Sequence, residues 1–459
     1  MAKNIVIIGA GPGGYVCAIR AAQLGASVTV VDAMKQPGGT CLNMGCIPSK
    51  NLLHASHEYH KAQHDLEKLG ISVKGISIDI KQMQTQKKQV VDSLTQGIGF
   101  LFKKNNVRFI NATAKIINSN QVEAGDEILS ADAIIIATGS VPRAIPNISV
   151  DEKIILSSTG ALDIDHVPGK IAIIGGGYIG LELGSVWGRL GSTVHVIEAL
   201  DRITPGLDPD LSKTLHTALQ KQGFIFHLGT KINSVIPHKT GAELVLENTN
   251  GTKNLSVDKV LVSIGRVPNT SGLDLEKIGV ELTPQGFIKV NPHFETNINS
   301  IYAIGDVVEG PMLAHKAEEE GIAIAEHLAG MECHVDYNVI PAVVYTQPEV
   351  AAVGFTEPQL QSANIPYNAS KFPFSANSRA KAVNETEGFV KLLSHQETGL
   401  VLGAHIIGTC AGTMIAQVAQ AMSLRATVED IARTCHAHPT HSEAIKEAAW
   451  AGFAKAIHA

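Results

Sequence analysis

The sequence predicts an α/β protein that ends in a separate α+β segment. Three observations carry this reading: a glycine-rich strand–loop–helix pattern at the N-terminal end, its repetition in mid-chain, and a change of texture after about residue 341. The first copy runs from Ile5-Val6-Ile7-Ile8 into Gly9-Ala10-Gly11-Pro12-Gly13-Gly14, and the second from Ile171-Ala172-Ile173-Ile174 into Gly175-Gly176-Gly177-Tyr178-Ile179-Gly180. Short, unbroken apolar runs of this kind are strands of a parallel sheet covered on both faces. Each copy continues through a helix-like stretch into a second strand that ends in an acid, Val28–Asp32 and Val194–Glu198.

The residue types explain the pattern. Gly9 and Gly175 permit a tight turn, Gly11 and Gly177 let backbone approach a pyrophosphate, and Gly14 and Gly180 let helix pack on strand. The helix N-terminus offers free amides and a positive dipole to phosphate. Asp32 and Glu198 follow at close to the roughly 20-residue interval expected of ribose recognition. Two complete units predict two Rossmann-like domains, each for one dinucleotide.

Each unit is closed by a further strand and turn: Ala133–Ser140, containing Thr138 and Gly139, and Val260–Arg266, containing Gly265. A third such element, Thr296–Asp306, ends in an acid. Beyond Pro341 the chain reads as antiparallel strands (Val343–Tyr345, Phe389–Leu393, Leu400–Gly408) and helices at about 411–424 and 441–456, with no glycine-rich loop. The expected division is 1–145 with 270–340 as one dinucleotide domain, 146–269 as the second, and 341–459 as an interface domain.

With 459 residues, a single core is too small for the chain. A formal net charge of −6 and 5% aromatics give no case for binding nucleic acid or an anionic membrane. Six cysteines in so long a chain do not make a secreted disulfide scaffold. No apolar run reaches the ~18 residues of a membrane span, and the first strand begins almost at Met1. These features predict a cytoplasmic protein without metal.

Cys41 and Cys46 lie in the run Gly38–Lys50, after the first unit. Their spacing alone fits two inert thiols equally well. Their place directly downstream of a nucleotide loop points instead to a redox pair held by glycines and a proline.

On these motifs, together with Met312-Leu313-Ala314-His315 and Cys435–Glu443, the chain resembles the pyridine nucleotide–disulfide oxidoreductases over essentially its whole length, and within them the branch that oxidises dihydrolipoyl groups. The resemblance implies FAD in the first unit, met by Gly9, Gly11, Gly14, Asp32, Lys50, Ala114, Thr138, Gly139, Asp306, Met312, Ala314 and His315. It implies a nicotinamide nucleotide in the second, met by Gly175, Gly177, Gly180, Glu182, Glu198 and Gly265, with Glu182 also pairing Lys50. Glu198 would repel a 2′-phosphate, so NAD is expected rather than NADP; Arg202, four residues on, reads as a solvated turn residue.

The resemblance further implies Cys41 and Cys46 as the redox disulfide, with His438 and Glu443 as the acid–base pair. It also implies a homodimer, and as partners the lipoyl domains of 2-oxo acid dehydrogenase or glycine cleavage complexes. Two positions depart from the family pattern: Asp32 stands where glutamate is usual, and His441 where an apolar residue is usual. A protonated His441 close to His438 would lower the pKa of that base by like-charge repulsion. Glutathione and mercuric reduction remain alternatives within the family, and a non-catalytic flavoprotein scaffold is an alternative outside it.

Overall fold

Two parallel five-stranded sheets and one antiparallel five-stranded sheet organise the computed structural model, which describes residues 2–458. The first sheet has the order Ile301–Ala303, Ala133–Ile136, Asn4–Ile8, Ser27–Asp32, Arg108–Asn111. The second has the order Ile225–His227, Thr193–Ile197, Lys170–Ile174, Lys259–Val262, Ile155–Leu156. In both, the strand before the glycine loop is central and pairs in parallel with the strand ending in the acid: Ile5 faces Val28, and Ile171 faces Val194. Central strands need apolar side chains on both faces, and Ile5, Val6, Ile7, Ile171, Ala172 and Ile173 are all buried.

The chain leaves the first sheet after Ala133–Ile136 and returns to it only with Ile301–Ala303, having built the second sheet in between. Helices Pro12–Gln23 and Tyr178–Arg189 follow the two glycine loops. The first packs along Ala314–Leu328, where Gly13 and Gly321 allow close approach. At Gly14 a side chain would overlap the carbonyl oxygen of Gly9, so only glycine lets this helix start against the strand.

The third sheet runs Ala342–Val344, Glu349–Gly354, Val401–Gly408, Phe389–His395, Tyr367–Pro373, all antiparallel. Helices Ala411–Ser423 and Glu443–Phe453 cover one face around Met414, Ile415, Val418, Ala444, Ile445 and Ala448. Among the described residues no helix is long and apolar enough to cross a membrane.

Candidate active site

One cavity of ≈ 470 Å³ opens at the carboxyl ends of the first sheet, where open α/β sheets bind ligands. At one end lie Gly9, Gly11 and Asp32; along it lie Ala114, Thr138, Gly139, Asp306, Met312 and Ala314; at the other end lie Cys41, Cys46 and Lys50. The two glycine loops are locked in the same way. Asp32 accepts from the amides of Ala10 (2.6 Å) and Met34 (2.7 Å). Glu198 accepts from those of Gly176 (2.7 Å) and Leu200 (2.9 Å). Burial lifts the Asp32 pKa against the pull of its two amides.

The cysteines are placed by short helices. Gly39–Met44 carries Cys41, and Cys46 opens the helix Cys46–His64, with Gly45 as the break between them. The two sulfurs are unbonded and joined by a hydrogen bond. Their protonation is polarised. The hydrogen bond between the two sulfurs holds Cys46 below the ordinary thiol range, with help from Lys50 and against burial. The same bond, then burial, pushes Cys41 up. When the pair is reduced, Cys46 is therefore the sulfur that ionises first and Cys41 the one that keeps its proton.

Lys50 projects from the Cys46–His64 helix onto Glu182 of the second unit, Nζ to Oε2 2.7 Å. Glu182 is buried and also accepts from the amide of Tyr345, at 3.0 Å, in the third domain. The Tyr345 ring lies 4.4 Å from the Lys50 ammonium. One carboxylate thus joins all three parts of the chain at the redox pair. A second link passes from Arg266, whose Nε donates to Ser140 Oγ (2.6 Å), to Asp306, which accepts from Ser140 Oγ (2.5 Å).

The helix after the second glycine loop borders the same cavity: Tyr178, Ile179, Glu182 and Leu183, from its first turns, line it. Gly175, Gly177, Glu198 and Gly265 lie outside that lining, and Gly180 packs against Ile173 and Ser263. Arg202 donates to the carbonyl of Pro205 at an exposed turn. The cavity, its free helix N-terminus and its acid-closed loop fit FAD, and the second acid-closed glycine loop fits a nicotinamide nucleotide. His315 departs from expectation. Ala314 and Ala317 face the cavity, but position 315 is turned away by the helical period, and its Nε2 lies 2.7 Å from the carbonyl of Pro341.

His438 and Glu443 meet in the third domain, Nδ1 to Oε1 3.0 Å. The other carboxylate oxygen accepts from the Thr440 amide at 2.8 Å, and Thr440's carbonyl is held at 3.0 Å by the buried Asn377. Burial opposes ionisation of Glu443, but the Thr440 amide and His438 outweigh it and hold the carboxyl below its usual range. Within one chain this pair stays apart from the cysteines: the cavity has no lining residue beyond Ala317, and the His438 side chain is 68% exposed.

His441 differs from the expectation set by its neighbour. Burial depresses its pKa, its Nε2 is buried without a partner, and its ring meets Phe374 edge-on. Burial thus works against the protonated state on which any like-charge repulsion from His441 would depend.

The site also contains residues the sequence did not single out. Tyr345 and Asn377 come from a domain without any nucleotide signature, and only the fold brings them in. Tyr15 and Glu318 (Oη to Oε1 3.4 Å) stand near Cys41, and the negative charge of Glu318 helps keep that thiol protonated.

Residues 3–321 match the family model described as pyridine nucleotide-disulphide oxidoreductase, and residues 340–449 match its dimerisation domain. The chain is 51% identical to dihydrolipoyl dehydrogenase 1, mitochondrial, of Arabidopsis thaliana, over 99% of this chain and 91% of that protein. It is 50% identical to the mitochondrial dihydrolipoyl dehydrogenase of Pisum sativum, over 99% and 92%. The crystal structure of LpdA from Mycobacterium tuberculosis superposes with a TM-score of 0.91 at 28% identity, covering 98% of this chain and 99% of that one. These relatives overturn the expectation of a cytoplasmic location, since both plant proteins are named mitochondrial. Two matched family models and near-full-length identity agree with the twin glycine loops: the chain belongs to the pyridine nucleotide-disulphide oxidoreductases.

Proposed function

We propose that this chain is a dihydrolipoyl dehydrogenase, an FAD enzyme that oxidises a protein-bound dihydrolipoyl group and passes the electrons to NAD⁺. The relatives that carry this name match nearly the whole chain. The feature that supports the chemistry is the asymmetric cysteine pair, in which Cys46 ionises ahead of Cys41, beside Lys50 and Glu182.

Only a thiolate attacks a disulfide. His438, oriented by Glu443 through Nδ1, takes the proton of one substrate thiol on Nε2. The substrate sulfur bonds to Cys41 and breaks the Cys41–Cys46 bond, and Cys46 leaves as a thiolate stabilised by Lys50. The second substrate thiol loses its proton to solvent and its sulfur closes on the first. Cys41 is expelled and regains a proton from His438, which suits its raised pKa. The product is a lipoyl disulfide and a reduced cysteine pair. FAD held in this cavity would supply the two-electron redox chemistry that links the dithiol to NAD⁺. Asp32 and the first glycine loop would hold its adenosine half, Asp306 its ribityl chain, and Glu198 the adenosine ribose of NAD⁺. The dihydrolipoyl group would arrive on a lipoyl domain of a 2-oxo acid dehydrogenase or glycine cleavage complex.

His438 reaches Cys41 from the partner in an isologous dimer, which builds two shared sites. Two facts support this: the His438 side chain is exposed in one chain, and residues 340–449 match a dimerisation domain. Subunit complementation tests it. Homodimers of Cys46→Ser and of His438→Gln are each nearly inactive. A heterodimer of the two has one doubly defective site and one intact site, so unfolding and refolding the mixture restores turnover in proportion to heterodimer formed. A mixture that refolds well yet stays as inactive as its parents refutes the shared site.

A further inference from the structure

Far from the redox pair, at the C-terminal end of the helix Ala314–Leu328, three soft ligands converge. His327 lies in the last turn, Cys333 in the loop beyond, and His293 in the loop before the strand Ile301–Ala303. One donor atom from each residue lies within 4.8 Å of the other two. The imidazoles of His293 and His327 are stacked, centroids 4.7 Å apart and planes within 14°. Tyr302 closes one side, its ring 6.5 Å from that of His327. The helix rises about 1.5 Å per residue, so His327 stands roughly 20 Å from Ala314 at the cavity wall.

We propose that His293, His327 and Cys333 form a site for one borderline-soft divalent cation of the zinc class, with water as fourth ligand. Two imidazoles and a thiolate are the donor set such ions select over magnesium or calcium, which take oxygen. Tetrahedral bonds of about 2.0–2.3 Å place ligand atoms about 3.3–3.6 Å apart. Closing from the observed spread takes an approach of the ligand atoms and a turn of one imidazole out of the stack, so that both nitrogen lone pairs point at the ion, in two loops and one helix end. None of the three side chains is spent on a hydrogen bond among the described residues, so no competing partner has to be displaced. The charges acting here balance: Lys3 and Glu295 oppose one another at His327, and Glu326 stands near Cys333. Lys3 is held on the carbonyl of Leu328 (2.7 Å), and Glu326 on Arg20 (2.5 Å). Binding would tie the loop at 329–335 to the first sheet and stabilise the folded state through mass action.

The test keeps the holoenzyme oxidised, so that Cys41 and Cys46 are a disulfide and cannot chelate. Metal-free protein is titrated with Zn²⁺ against a chromophoric chelator, and with Co²⁺ while following absorption to the red of the flavin bands. One ion per chain and tetrahedral thiolate–cobalt bands are expected, with protection of Cys333 from alkylation. His327→Gln and Cys333→Ser should each weaken binding by at least about 100-fold, the upper end of what loss of an outer-sphere partner costs. Both variants should keep full turnover when metal-free, since neither residue touches the redox site. Zinc binding that is absent, or unchanged in both variants, overturns the proposal. So does cobalt binding without thiolate bands.

Discussion

Removing either member of the Lys50–Glu182 pair should move the Cys46 pKa in opposite directions. The pair is short (2.7 Å) and unevenly buried, Glu182 at 4% side-chain exposure and Lys50 at 34%. Lys50 lowers the Cys46 pKa and Glu182 raises it. A charge within about 4–6 Å shifts a thiol by about 1–3 units. Lys50→Met should therefore raise the Cys46 pKa by roughly one to two units, and Glu182→Gln should lower it by up to about one. Stability separates the two variants as well. Glutamine can still accept from the Tyr345 amide, and Lys50 can turn to water, so Glu182→Gln should cost about 1 kcal/mol. Lys50→Met strands a buried carboxylate, for which the penalty is about 3–5 kcal/mol, partly relieved by protonation. The assay is the long-wavelength thiolate absorbance of anaerobically reduced protein against pH, paired with thermal unfolding. Midpoints that move the same way in both variants would refute an electrostatic origin, because a field effect must change sign with the charge removed.

Asn377→Asp keeps the acceptor that caps the Ala380 amide (2.9 Å) but loses the donor to Thr440, so kcat with dihydrolipoamide should fall roughly tenfold, a fraction of what a general base supplies. Burying a new carboxylate against that carbonyl should also cost about 1–3 kcal/mol of stability, while NADH oxidation by an artificial acceptor should be unchanged; a loss there equal to the loss of kcat would make Asn377 merely structural. His441→Leu should leave the pH profile of kcat/KM unmoved and raise stability by up to about 1 kcal/mol, through loss of an unpaired buried nitrogen; a displaced acid limb would restore the coupling to His438. Burial depresses the His405 pKa, so the unfolded chain takes up that proton first, and stability present above the unfolded value of about 6.5 is lost as pH falls through the folded value. His405→Gln should therefore flatten the fall of Tm below pH 6.5 by up to about one proton, roughly 1.4 kcal/mol per pH unit; an unaltered slope would assign the acid lability elsewhere.

The parallel sheets were legible because their signal is local. A four-residue apolar run, a glycine turn and an acid are all set by contacts within one unit, and the repetition removes the ambiguity of a single match. The C-terminal helices were nearly as clear: 411–424 and 441–456 are observed as Ala411–Ser423 and Glu443–Phe453. The strands Glu349–Gly354 and Tyr367–Pro373 were missed. The first carries Ala351 and Ala352 and ends in glycine, and the second alternates polar residues with Ser370, so neither shows a strong apolar run. The 25-residue helix Ile80–Lys104 was also missed: it is polar over most of its surface and buries only Met83, Lys87, Val91, Thr95, Ile98 and Phe102.

Residues fixed by chain-local motifs lie where the motif puts them; of those that depend on distant packing, the Lys50–Glu182 pair expected from the family resemblance is present, whereas the His315 side chain turns out of the cavity. Asp32 and Glu198 each close their own loop, at a separation set by one helix and one strand. His315 was assigned with its neighbours in a run of four, yet a helix turns 100° per residue, and adjacent positions cannot all face one cavity. His441 shows the same limit in electrostatic form. Its distance in sequence from His438 suggested a charged neighbour, but charge depends on solvent, and Phe374, from another strand region, removes the solvent. Glu182 marks the boundary between the two classes. Its place after the second glycine loop makes it look like part of a nucleotide site, and its helix does line the cavity. Its partners, however, are Lys50 and the amide of Tyr345, more than a hundred residues away on either side. A buried carboxylate with one cation and one amide is satisfied only when all three parts of the chain are docked. The charges of Lys50 and Glu182 that tune Cys46 are therefore set by the assembled protein, whereas the larger effect, the hydrogen bond with Cys41, lies within the local motif.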